Sequence, residues 1–309
     1  MTEEKNKTRS KRYEEINEKK VVEKEIIEKE ENSSPLVKIL VVIGLILVIF
    51  FVYSFHICPN IINVKEYKVE SNLLPSSFDG IKIVHFSDIH YGTTINQKQL
   101  EKIVKKINET KPDIIVFSGD LIDKNIIPTD DIQKEIKETL KKLEASLYKY
   151  AVIGNEDDEE IFNKTMEEAN FRVLKNESLL LYYKEKTPIV ISGFNNIDSN
   201  PDYMKMNNKI DDINPVGLFN IVIFHESDAI DNVIDNNPSL ILTSGTLGGK
   251  INIFKPLFLP ETADKYYEDN YQINDSKAFI TNGLGTTGVN IRFNNNPSFN
   301  LYRLYKEEN

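Results

Sequence analysis

The sequence predicts an α/β domain with a mixed sheet, carried behind a single membrane-spanning helix. Three observations predict it. An uncharged apolar run of 17 residues, 39–55, lies near the N-terminus. Beyond it, short β-branched runs alternate with apolar stripes of helical period. Several of those β runs end in small polar clusters containing Asp, Asn or His.

Composition bounds the function classes. The chain has 309 residues, and a hydrophobic fraction of 40% supports a substantial core and excludes disorder of the whole chain. Its 38 basic and 48 acidic residues leave a net charge of −10. That balance excludes a nucleic-acid partner, because phosphate binding needs clustered Lys and Arg. One cysteine, Cys58, excludes an intramolecular disulfide framework and a Cys-cluster zinc site.

Residues 1–35 carry nine Lys/Arg and ten Asp/Glu and read as a charged cytoplasmic tail. Such a segment buries too little surface to offset its ordering entropy. Ile16, Val21, Val22, Ile26 and Ile27 trace a narrow stripe, but their spacing never settles into heptads. Residues 36–57 read as the transmembrane helix. A span needs roughly 20 apolar residues, and Lys38 can snorkel to the headgroups. A core helix of this length would show a polar face. A cleavable signal would have a shorter apolar region and a small-residue exit. Lys19, Lys20, Lys24, Lys29 and Lys38 precede the span, whereas only Lys65 and Lys68 follow it at similar distance. The bias predicts a single-pass plasma-membrane protein, N-terminus cytoplasmic and residues 58–309 outside.

Residues 58–309 read as one domain. Residues 81–87 (IKIVHFS) form a first strand, followed by a helix marked by Leu100, Ile103, Val104 and Ile107 and closed at Lys111-Pro112. Residues 113–118 (DIIVFS) form a second strand, ending in Gly119-Asp120. Ile132, Ile136, Leu140 and Leu143 mark a second helix, and residues 148–153 (YKYAVI) a third strand ending in Gly154-Asn155. This alternation implies parallel pairing with right-handed crossovers. Further strands are expected near 189–193, 219–225, 239–243, 277–281 and 299–304. The acidic run Glu156–Glu160 opens a helix, where it suits the positive end of the dipole.

The polar clusters are Asp88-Ile89-His90, Gly119-Asp120, Gly154-Asn155 and His225. In open α/β sheets, sites form at the carboxyl ends of strands. Brought to one edge, these residues would make a metal site of mixed oxygen and nitrogen donors, suited to Mn, Fe or Zn. Singly, each has a plainer reading: Asp88 a turn cap, His90 a polar loop residue, Asn155 a turn residue beside glycine. His85, inside its strand, reads as a core histidine, and Asp123 as a cap or a residue behind the ligands.

At these residues the chain resembles the calcineurin-like metallophosphoesterase family, in a membrane-anchored bacterial branch related to lipid-pyrophosphate phosphodiesterases. The family motifs run D-x-H, G-D-x-x-D, G-N-H-[DE], a central His, and G-H-x-H. This chain has Asp88-Ile89-His90, Gly119-Asp120-Leu121-Ile122-Asp123, Gly154-Asn155-Glu156-Asp157, His225 within FHESD, and SGTLGGK at 244–250. RVLKNES (172–178) and NGLGTTGVNIRF (282–293) extend the likeness to about residues 64–305. The resemblance implies a sandwich of mixed β-sheets flanked by helices, holding one or two divalent metals. It implies that Asp88 and His90 bind a first metal, that Asp120 bridges, and that Asn155 and His225 bind a second. Water would attack phosphorus in line between them.

Three positions depart from that pattern. Glu156 replaces the G-N-H histidine, and Gly245 and Leu247 replace the two histidines of G-H-x-H. Each metal thereby loses one protein ligand, which weakens binding. Loss of acid–base help typically costs a further ~10²–10⁴ in rate. Glu156 becomes the altered catalytic residue, as proton donor or carboxylate ligand. Lys250 stands where the family has Gln; it either pairs with a substrate phosphate or is a solvated surface lysine. The expected function is therefore a membrane-anchored metallophosphoesterase-like hydrolase with a degenerate active site, acting on a phosphate ester or pyrophosphate, lipid ones included. The alternative is an inactive pseudoenzyme that serves as a binding or scaffold module.

Overall fold

A computed structural model describes residues 19–21, 35–195 and 217–307. Of the expected tail, 1–18 and 22–34 lie outside the described residues, and with them Ile16, Val22, Ile26 and Ile27 of its stripe. The chain divides into two compact units, Met1–Val52 and Tyr53–Asn309. The first contains helix α1 (Pro35–Val52), none of whose residues is buried. The helical stretch Pro35–Asn60 is long and apolar enough to cross a membrane.

The second unit carries, in chain order, β1 (Asn63–Ser71), β2 (Lys82–Phe86), α2 (Gln97–Glu109), β3 (Ile114–Phe117), α3 (Asp130–Leu140), β4 (Tyr148–Ala151), α4 (Glu159–Glu168), β5 (Arg172–Val173), β6 (Glu177–Leu181) and β7 (Ile189–Gly193). It continues with β8 (Asn220–Glu226), β9 (Leu240–Ser244), β10 (Ile251–Asn252), β11 (Pro256–Leu257), β12 (Asn270–Ile273), β13 (Ser276–Ile280) and β14 (Ser298–Lys306). Two six-stranded sheets result, ordered β1-β14-β2-β3-β4-β5 and β12-β13-β9-β8-β7-β6. β10 and β11 form a separate hairpin. In the first sheet β2, β3 and β4 are parallel, as the strand–helix alternation requires, and β14 returns antiparallel to β2. In the second, β7, β8, β9 and β13 are parallel, with antiparallel edge strands.

Side-chain alternation makes the layers. Ile83 of β2 faces the inter-sheet core with Val116, Tyr150, Tyr302, Ile191, Ile223 and Leu242. Val84 and Phe86 of the same strand face the opposite way, onto Leu100, Ile103 and Ile107 of α2, Ile136 and Leu140 of α3, and Phe162 of α4. The second sheet turns Val222, Phe224, Ile241 and Ile280 outward, against Ile230 and Val233 of a 3₁₀ segment. α2 starts at a capping box: Asn96 accepts from the Gln99 amide at 3.1 Å, and the Gln99 side chain accepts from the Asn96 amide at 3.0 Å. α4 starts at Asp158, which accepts from the Ile161 amide at 3.0 Å. The expected strands are present. Several unexpected ones are polar or very short, such as β1 (NVKEYKVES), β5 and β12. β1 and β12 are edges, where one side of the ladder faces no partner and apolar periodicity is weak.

Candidate metal centre

The carboxyl ends of β2, β3 and β8 open onto one buried cluster. After β2 the backbone turns left-handed at Asp88 (φ 51°) and His90 (φ 45°), and after β3 at Gly119 (φ 93°) and Asp120 (φ 61°). Such backbone costs roughly 1–3 kcal/mol at a residue with a Cβ. A ladder between the two loops holds it. The Asp88 amide donates to the Gly119 carbonyl at 2.9 Å, the His90 amide to Asp120 at 3.1 Å, and the Tyr91 amide to Leu121 at 3.0 Å. Only glycine fits at 119, because a Cβ there would collide with the Gly154 backbone in the loop after β4.

Four side-chain atoms converge inside this frame. Asp120 Oδ2 lies 3.7 Å from His90 Nε2 and 3.3 Å from His225 Nε2. Asp88 Oδ1 lies 3.9 Å and 4.0 Å from the same two nitrogens. All four residues are buried, and Asp88 Oδ1, His90 Nε2 and His225 Nε2 have no hydrogen-bond partner. Buried polar atoms are rarely left unpaired. Asp88, Asp120 and His225 each offer an atom within 4.8 Å of the others, and His90 offers one to a neighbouring set with Asp123 and Glu156; each set could hold a divalent cation. A four-coordinate cation with ligands at ~2.0–2.1 Å spaces those ligands about 3.3–3.4 Å apart. The observed separations of 3.3 to 4.0 Å are near that scale.

The second nitrogen of His225 is engaged behind the cluster. His225 Nδ1 lies 2.6 Å from the Ser118 carbonyl. A carbonyl only accepts, so Nδ1 carries hydrogen and Nε2 is the nitrogen that faces the cluster. His90 Nδ1 lies 3.4 Å from Glu156 Oε2. Glu156 Oε1 accepts from Lys124 Nζ at 2.8 Å, and the Glu156 amide donates to Asp120 Oδ1 at 3.0 Å. Ser87 Oγ donates to Asp88 Oδ2.

Charge in the cluster follows from these neighbours. Burial resists a proton on His225, but Asp120 and Asp88 outweigh it and hold the imidazole well above its ordinary pKa. His90 rises in the same way: burial is overcome by Glu156, Asp120 and Asp88. Burial pushes Asp88 up. Burial acts upward on Asp120 too, yet His225, His90 and the Glu156 amide draw it down to about 2. On Glu156 the His90 and Lys124 bonds prevail over burial and keep the carboxyl low. The carboxylates hold positive charge on the imidazoles, a charge that a bound cation would supply instead.

The remaining expected residues are placed as follows. Asn155 is exposed, outside the buried donor set. Lys250 is half-buried, and its ammonium donates to the Thr287 carbonyl at 2.7 Å rather than standing free in solvent. Burial and Arg292 lower its pKa. A Cβ on Gly245 would lie 3.1 Å from His225 Nε2, so this position borders the cluster. Leu247 is buried. His85 is buried in the core, its Nε2 2.7 Å from Ser118 Oγ. Asp123 both caps and faces the site. Its Oδ1 accepts from the Asn125 amide at 2.9 Å, and its carboxylate groups with His90 and Glu156.

Two residues went unread in the sequence. The Asp157 carboxylate accepts from the amides of Asp120 (2.8 Å), Leu121 (2.7 Å) and Gly154 (2.9 Å), tying the loops after β3 and β4 together. Its place at the end of the G-N-x-[DE] motif was the available signal. Arg292 is fully buried and donates to the carbonyls of Gly285 (2.6 Å), Asn282 (3.0 Å) and Gly283 (3.2 Å). Nothing in an Asn-rich stretch marks an arginine as buried. Beside Glu156 and Lys124 opens a cavity of about 240 Å³, walled by Leu121, Ile126, Pro128, Ile161 and Phe162.

Residues 81–273 match the model of the calcineurin-like phosphoesterase family. The chain is 31% identical over 259 residues to the uncharacterized metallophosphoesterase YkuE of Bacillus subtilis, covering 82% of this chain and 88% of that one. It is 26% identical over 251 residues to a transmembrane protein with metallophosphoesterase domain from Danio rerio, covering 76% of this chain and 54% of the relative. A shorter match, 32% over 113 residues, is to the UDP-2,3-diacylglucosamine pyrophosphatase LpxG of Chlamydia trachomatis, covering 36% of this chain and 32% of the relative. The chain thus spans about half the length of the second relative and a third of the third.

Proposed function

Because the chain belongs to the calcineurin-like phosphoesterase family, a metal-dependent one, we propose that it is a membrane-anchored phosphoesterase with one or two divalent cations in a depleted centre. The observation that carries this reading is the grouping of Asp88, Asp120 and His225, with His90 Nε2 3.7 Å from Asp120 Oδ2 and three buried atoms among the four residues left without a hydrogen-bond partner. These four residues would hold Mn, Fe or Zn, and Asn155 would add a donor from the rim. A divalent cation there supplies charge to stabilise phosphate oxygens and lowers the pKa of water.

The chain's own residues divide the remaining work. Ser118 orients His225. Glu156, with Oε2 3.4 Å from His90 Nδ1, acts as a positioning residue, because His90 and Lys124 hold its carboxyl low. The leaving group therefore departs without the acid that the family histidine provides, which slows turnover by ~10²–10⁴. The substrate class is a phosphate ester or pyrophosphate, and lipid-linked ones fit the apolar wall beside Glu156. LpxG, by its name a pyrophosphatase of a diacylated sugar nucleotide, is a relative of that kind. Lys250 contributes positive charge near the mouth. The lysine bias before the apolar run supports an orientation with the domain outside the plasma membrane and the tail in the cytoplasm.

The test is metal analysis and aryl phosphodiester hydrolysis on the full chain in detergent. One or two cations per chain and slow turnover are expected, and Asp120→Ala should lose both. Undiminished metal and turnover in that variant would sink the assignment. A second reading, an inactive binding module, is favoured by Gly245 and Leu247 at the two motif positions. It predicts no metal and no turnover in the native chain, and gain of both in the combined variant Glu156→His, Gly245→His, Leu247→His.

A further inference from the structure

Among the described residues, the β10–β11 hairpin and the residue after it leave large apolar side chains exposed. Ile253 is 54% exposed, Phe254 100%, and Phe258 69%. Phe258 also adopts φ 62°, a backbone that aromatic residues rarely take, and its ring is left outward. Lys255 sits at the tip between them. A basic residue among exposed aromatics is the composition of a segment seated at a bilayer surface.

The place of the hairpin names its partner. Tyr53 follows Val52, the last residue of α1, directly in the chain, so it stands where the apolar helix hands over to the domain. Its ring packs edge-on against Phe293, with centroids 5.7 Å apart. Phe293 is in turn bound to the base of the hairpin: its amide donates to the Lys250 carbonyl at 3.0 Å, and the Asn252 amide donates to its carbonyl at 2.9 Å. The Arg292 amide donates to the Ser54 carbonyl at 3.0 Å, closing the same junction. The hairpin is therefore built onto the residues through which the chain leaves the span.

We propose that the hairpin Ile251–Leu257, with Phe258, inserts into the lipid surface beside the span as a second point of membrane contact. Aromatic rings pass into the acyl boundary while Lys255 meets anionic headgroups. The hairpin arises from the same loop that carries Gly245 and Leu247, and a Cβ on Gly249 would lie 2.6 Å from Pro256. The second contact would hold this loop at the lipid surface. The proposal rests on the reading of α1 as a membrane anchor.

The chain contains no tryptophan, so a single introduced indole reports without background. Three full-chain variants, Phe254→Trp, Ile46→Trp in α1 and Ile127→Trp on an exposed loop, are reconstituted into phosphatidylcholine–phosphatidylglycerol vesicles. Part of the phosphatidylcholine carries brominated acyl chains. The expected result is blue-shifted emission of F254W, quenching by bromolipid and loss of iodide quenching, while I127W shows the reverse. If F254W instead follows I127W while I46W is quenched by bromolipid, the hairpin stands in water and the proposal fails with the anchor intact. Blue-shifted F254W without bromolipid quenching means occlusion by protein and also overturns it. If I46W itself escapes bromolipid, the anchor reading fails and takes this one with it.

Discussion

At the scale of single residues, the buried polar groups outside the donor set decide whether the site can form. Arg292 stitches the segment 282–285 to the chain that leaves the span, and no other side chain could span those carbonyls with one planar fork. Its charge survives burial, which lowers it only to about 10. Arg292→Met should destabilise the domain by roughly 3–5 kcal/mol, since it strands several buried carbonyls, and Arg292→Lys should recover little of this. Urea midpoints of the full chain in detergent measure it. His85 gives a pH signature. Burial, with His225 nearby, pushes it down to about 3 from an ordinary 6.5. The unfolded chain takes up this proton near pH 6.5 and the folded chain does not until about 3. Its contribution is thus fully present above 6.5 and is lost as pH falls toward 3, at about 1.4 kcal/mol per pH unit. Replacement His85→Gln should flatten the dependence of the urea midpoint between pH 7 and pH 5; an unchanged slope would mean that His85 titrates normally. The sequence places His85 in the core from its position inside a strand, but its partners, Ser118 and Tyr302, lie more than 30 residues away and only the fold supplies them.

At the scale of elements, the sequence was most informative where one face of a helix or strand meets the core. The Leu100, Ile103, Val104 and Ile107 stripe lies buried on α2, and the runs at 81–87 and 113–118 became parallel β2 and β3. The capping box at Asn96 went unread, although it has the spacing of a helix start. Asn96→Ala should cost about 1 kcal/mol of stability and leave metal content unchanged, because α2 packs on the far side of the sheet from the inter-sheet core. A fall in metal content would show that α2 helps hold the loop of Asp88 and His90. Polar edge strands such as β1 were missed because they are specified by pairing, here with β14, and not by their own periodicity.

At the scale of the whole molecule, the boundary between anchor and domain matters for any truncation. The sequence reading set it at residue 58, where the apolar run ends, whereas the compact unit begins at Tyr53. Ser54 and Cys58 are fully buried, and the Ser54 carbonyl takes the Arg292 amide. A chain starting at Tyr53 should stay soluble after alkaline carbonate extraction, while the full chain stays in the membrane pellet. A chain starting at 61, which removes Ser54 and Cys58, should unfold at lower urea than the one starting at 53. Equal midpoints would make the 53–60 segment dispensable.

Taken alone, the order of residues determined the apolar span, the alternation of strands and helices, and the identities of Asp88, His90, Asp120 and His225 as the polar ends of successive strands. These are local properties: hydrophobic period and turn chemistry act over a few residues. Only the tertiary structure decided which atoms meet. It turned His90 so that one nitrogen faces Asp120 and the other Glu156, left Asn155 exposed, tied Lys250 to Thr287, and bonded the base of the hairpin to Phe293. Those outcomes depend on crossover geometry and on left-handed turns held by neighbouring loops, which no short window of sequence contains.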